Sequence, residues 1–190
     1  SYTLSGAGEL RATDAYGLVV GRFGEGSFKQ EGGANRLSGY LALAYYEGSR
    51  GSYTLSAGDL SAEGLIVGNR GLATFTQTGG NNVSGYVLIG NGGGDGRGDS
   101  DGTYLQTGGK HTVQGDLLLA SGRGSWGLYN LQGGDLSTVN TKVSGSSEGA
   151  FSQSGGTHTV SKELQVGADS VWGTYSVYGG TLSAAKIINS

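Results

Sequence analysis

Apolar and polar residues alternate along this chain in short runs, glycine breaks the runs, and the whole pattern recurs. One run reads aromatic-x-apolar or aromatic-x-Gln: Tyr2-Leu4, Phe28-Gln30, Tyr53-Leu55, Phe75-Gln77, Tyr104-Gln106, Tyr129-Leu131, Phe151-Gln153 and Tyr175-Val177. Alternation places both members of each pair on one face of a strand. A turn follows, mostly Gly-Gly, as at Gly79-Gly80 and Gly108-Gly109. Glycine suits it because positive φ carries no steric cost there. A second run carries one apolar anchor: Leu10, Leu37, Leu60, Val83, Val113, Leu136, Val160 or Leu182. A third alternates again, as in Leu18-Val20, Leu41-Leu43, Leu65-Val67, Val87-Ile89, Leu117-Leu119 and Leu164-Val166, and often closes on glycine.

The aromatics stand 22 to 29 residues apart. A unit this short cannot bury a core alone, so successive units must stack. Three short strands and three turns in each unit predict a parallel β-helix, an all-β solenoid of about eight coils. It would form a single domain over residues 1–190. A β-sandwich is disfavoured, because its strands rarely repeat in sequence. Eight coils at the strand spacing give a rod roughly 38 Å long. Two coil types are present. Coils one, three, six and eight carry Leu or Val after the aromatic; coils two, four, five and seven carry Gln. The inward Gln amides need partners, in neighbouring backbone or in each other.

Composition narrows the partners more than the fold. The 190 residues include 41 Gly and no Pro, Cys or Met, with a net charge of −3. No basic run is present, so there is no footprint for nucleic acid. No apolar stretch is long enough to insert into a membrane as a helix. Without cysteine, disulfide and thiolate-metal chemistry drop out.

Phrases such as FTQTGGNNVSGYVLIGNGG and GTYLQTGGKHTVQGDLLLASG resemble the glycine-rich β-strand repeats of large secreted bacterial surface proteins, such as autotransporter passengers and filamentous-haemagglutinin-like adhesins. The resemblance covers the whole chain. It implies a right-handed helix outside the cell, acting as stalk, adhesin or fibre. It names no ligand.

Candidate chemistry is sparse. Glu9, Asp59 and Asp135 hold equivalent positions but are at least two coils apart, about 10 Å at the strand spacing. That reads as a solvated acidic face rather than the paired carboxylates of a polysaccharide-degrading enzyme. His111 and His158 share a position with Asn35 and read as a surface column. The loop NGGGDGRGDSDG holds Asp95, Asp99 and Asp101, weak calcium candidates without a full ligand set, and an Arg97-Gly98-Asp99 tripeptide. Trp126 and Trp172 each stand three residues before a coil aromatic, where they could stack on a sugar or pack on a turn. The residue between the third-run pairs is Val19, Ala42, Ile66, Leu88 and Leu118 in the first five coils. That predicts an outward apolar stripe and a lateral contact with another rod.

The first and last runs are in phase, so another copy could continue the helix after a short turn. The expectation is a structural, non-enzymatic, extracellular or cell-surface solenoid with no cofactor. It would polymerise head-to-tail through Tyr2, Leu4 and Leu10 at one end and Tyr175, Val177, Leu182 and Ile187 at the other. The alternatives are a stalk or adhesin segment that binds glycans or host receptors and, third, a polysaccharide-degrading enzyme.

Overall fold

A computed structural model describes residues 1–92, 100–168 and 171–190. All its regular elements are β-strands, and each strand pairs in parallel with its equivalents in the turns above and below. Rung one holds β1 (Tyr2–Leu4), β2 (Glu9–Ala12) and β3 (Leu18–Val20); rung two holds β4 (Glu25–Leu37) and β5 (Tyr40–Leu43). In rung three the three runs merge into one strand, β6 (Arg50–Val67). Rung four holds β7 (Leu72–Gln77) and β8 (Asn81–Ile89). Rung five holds β9 (Ser100–Gln106), β10 (Lys110–Val113) and β11 (Asp116–Leu119). The last three rungs hold β12 (Ser125–Leu131) with β13 (Asp135–Val143), β14 (Gly149–Gln153) with β15 (Thr157–Val166), and β16 (Gly173–Val177) with β17 (Thr181–Asn189).

The parallel solenoid expected from the repeat is therefore present. Two details differ. The eight rungs make about seven turns, and the right-handed sense rests on the resemblance alone. The three strands expected in each coil also fuse in several rungs, because the chain keeps pairing through the corners. Register shifts at Gln30, Glu31 and Ala34 absorb the extra residues there.

The cross-section has three faces. On the first, the coil aromatics form an unbroken inward stack, with centroids 4.4 to 5.0 Å apart from Tyr2 to Tyr175. The third-face pairs point inward as expected, and Leu41, Leu43, Leu65, Val67, Val87, Ile89, Leu117 and Leu119 are buried. Corners stack as closely as strands do. A Cβ on Gly33, where φ is +67°, would sit 2.1 Å from the carbonyl oxygen of Gly8 one rung below. That approach leaves room for glycine alone.

The second face corrects the sequence reading. Register aligns Leu10, Asn35, Leu60, Asn82, His111, Leu136, His158 and Leu182 in one inward column. His111 and His158 are completely buried, not surface residues, and Asn35 and Asn82 are buried with them. Val83, expected as an anchor, points outward between buried Asn82 and Ser84. The Gln-type anchors Leu37, Val113 and Val160 lie one step further along, beside Ala12, Ser84 and Thr138.

Candidate functional site

The buried polar groups of the core form one repeated unit. Tyr129 donates its hydroxyl proton to Gln106 Oε1 at 2.6 Å, and His111 Nδ1 lies 3.1 Å from the same hydroxyl. The Gln106 amide donates to the carbonyls of Gly109 and Asp135. Gln30, Tyr53 and Asn35 form the same unit, as do Gln77, Tyr104 and Asn82, and Gln153, Tyr175 and His158. The Gln amides thus bond to neighbouring backbone and to tyrosine, not to each other.

Each unit takes its Gln and its Asn or His from one rung and its Tyr from the next. The rule is visible in the sequence. Tyr53, Tyr104, Tyr129 and Tyr175 each follow a Gln-type rung; Phe28, Phe75 and Phe151 each follow a Leu-type rung. The tyrosine hydrogen goes to Gln, so both histidines must donate from Nδ1 and keep Nε2 unprotonated. His158 Nε2 accepts from Thr138 and Thr141, while His111 Nε2 has no partner among the described residues. Burial pushes both imidazoles down to about 3. Burial also raises the Tyr53, Tyr104, Tyr129 and Tyr175 phenols. These groups satisfy one another within the core, and only the unit with Tyr175 reaches the open end of the rod.

At the rod's ends the residues expected to self-associate differ in exposure. Tyr2 is 51% exposed, although its ring stacks on Phe28. Leu10 is half-buried and Leu4 is buried, with the turn at Gly8 against it. At the other end Tyr175 and Leu182 are half-buried, and Val177 and Ile187 are exposed. These four line an open apolar hollow of about 410 Å³ with Leu164 and Val166.

The expected outer apolar stripe is broken. Val19, Leu88 and Leu118 are half-exposed, but Ala42 and Ile66 are buried. Several aromatic side chains lie near this part of the face. The Tyr86 ring lies across Gly64, 2.2 Å from where a Cβ would be. Tyr16 meets Tyr40 edge-on, and Phe23 stacks on Tyr46 at 4.5 Å with the Arg22 guanidinium over it. Burial, helped by the neighbouring Tyr45 hydroxyl, raises the Tyr40 phenol to about 12. The sequence reading had missed these tyrosines, because they lie in loops or just before a run and their targets lie on other rungs.

The acidic column is as read: Glu9, Asp59 and Asp135 are exposed and separated by other residues. Arg11 and Arg36 beside Glu9 hold its carboxyl below the usual range. Asp95, Asp99 and Arg97 lie outside the described residues. Asp101 is exposed at the edge of the first face. Among the described residues no three His, Cys, Asp or Glu side chains gather to hold a metal ion.

The two tryptophans are brought together. Register aligns Gly127, Gly149 and Gly173, so the residues before them, Trp126, Glu148 and Trp172, fall in successive rungs of one outer column. Asp101 continues that column below Trp126. Trp172 is 81% exposed and Trp126 40%. Together with Glu148, Ser125, Ser147 and Val171 they border an open hollow of about 440 Å³.

No family model, curated protein or solved structure matches the chain.

Proposed function

We propose that the chain is a structural rod, extracellular or at a cell surface, whose end faces seat further rungs by parallel strand addition. The observation that carries this reading is the open apolar hollow at the C-terminal face, where core columns that are buried elsewhere reach solvent at Val177 and Ile187. An apolar face bordered by unpaired strand edges favours pairing with another rung. Two sources supply such a rung: a second copy, giving a head-to-tail fibre, or further repeats of a longer stalk.

Tyr2 bears on how well a second copy would fit. Each later tyrosine of its column donates to a Gln in the rung below. The rung that a second copy would bring carries Val177 instead.

Negative-stain microscopy and light scattering of the purified chain test stacking. Filaments that disappear in the Val177→Lys/Ile187→Lys double variant are expected of copy-to-copy addition. Separate short rods at the highest concentration would refute it. Strand-addition capacity itself fails if a chain extended by one Gln-type rung before Ser1 gains no thermal stability.

A further inference from the structure

We infer that the Trp126–Glu148–Trp172 column is a binding site for an uncharged, extended, equatorially linked oligosaccharide lying along the rod axis. Trp172 is 81% exposed, which leaves an indole face free to meet a ligand. Neither tryptophan is needed to close the core. Both stand outside it, in one register column, separated by a single rung. Two strand spacings put their backbone positions about 10 Å apart. That is close to the repeat of a disaccharide in an extended chain, so alternate sugar rings meet successive indoles.

The rung between them supplies Glu148, an exposed carboxylate whose oxygens can accept hydrogen bonds from sugar hydroxyls. Aromatic platforms with an acceptor between them suit a pyranose, whose apolar C–H face stacks while its rim hydroxyls bond. The backbone under the site is fixed. The Ser144 hydroxyl donates to the carbonyl of Trp172, and Gly149 donates to the same Ser144 oxygen. Charge selects the class of ligand. Asp101 and Glu148 share the column and the chain carries −3 overall, which disfavours polyuronates and sulfated glycans. This inference is independent of what covers the rod's ends.

The chain has two tryptophans, and both lie in this column. Intrinsic fluorescence therefore reports the site directly. Titration with chitohexaose and with cellohexaose is expected to shift the emission with saturation, while polygalacturonate leaves it unchanged. Trp172→Ala should weaken binding at least about tenfold, Trp172→Phe should retain much of it, and Glu148→Gln should weaken it less than Trp172→Ala. Circular dichroism checks that each variant keeps its fold. The inference is overturned if neither hexasaccharide binds at millimolar concentration, if only polygalacturonate binds, or if Trp172→Ala binds normally. It is equally overturned if Trp172→Ala abolishes a protein–protein contact seen by light scattering and the sugars have no effect.

Discussion

Mild acid should weaken this fold through its two buried histidines. Folded, His111 and His158 are held neutral down to about pH 3, against a free-imidazole value of 6.5. The cause is burial, with the neighbouring His158 adding to it at His111. Below pH 6.5 the unfolded chain takes up a proton at each site and the folded chain does not. The stabilisation is thus fully present above pH 6.5 and is lost progressively as pH falls towards 3. Integrated from pH 7 to pH 5, the loss is about 2 kcal/mol per histidine, about 4 kcal/mol for both. Rungs two and four use Asn35 and Asn82 at the same position, so His111→Asn/His158→Asn replaces each ring with a residue the fold already accepts. Urea unfolding at pH 7 and pH 5 measures the difference. The natural chain should lose most of this amount and the double variant little, at the expense of about 1 kcal/mol per lost ring stack at pH 7. Equal losses in both proteins would refute the argument.

Tyr129→Phe strands Gln106 Oε1 and the His111 Nδ1 proton in the core and should cost about 2–4 kcal/mol. Adding Gln106→Leu and His111→Leu, which recreates a Leu-type rung under a Phe, should recover most of that; thermal melts of the single and triple variants decide it. Ala120 takes φ +52° at a corner where other rungs place Gly21, Gly68 and Gly90. Ala120→Gly should therefore raise stability by up to about 1 kcal/mol, or leave it unchanged where flexibility offsets the gain; a clear loss in urea unfolding would contradict this. Gly33→Ala meets backbone 2.1 Å away as well as an unfavourable φ, and it should lower the melting temperature sharply. At Gly64→Ala the nearest atoms belong to the Tyr86 ring, which can swing outward, so its effect should be much smaller.

The sequence by itself determined the repeat, the parallel solenoid, the stacked aromatics, the inward pairs of the first and third faces, and the glycine corners. Alternation and recurrence carry that information locally, because each strand must pair with its own equivalent. It also held the tyrosine-after-glutamine rule, which relates neighbouring rungs and escapes any reading of one rung at a time. Polar Asn35, His111 and His158 read as surface residues for the ordinary reason that unpaired polar groups are costly to bury. Tertiary structure alone decided that they point inward, because the hydroxyl that satisfies each one comes from the next rung. It likewise decided that Ile66 is buried while Leu88 and Leu118 in the same column are half-exposed. Whether a side chain in a solenoid is buried depends on its neighbours one rung away, some 25 residues distant in sequence, and local alternation does not encode them.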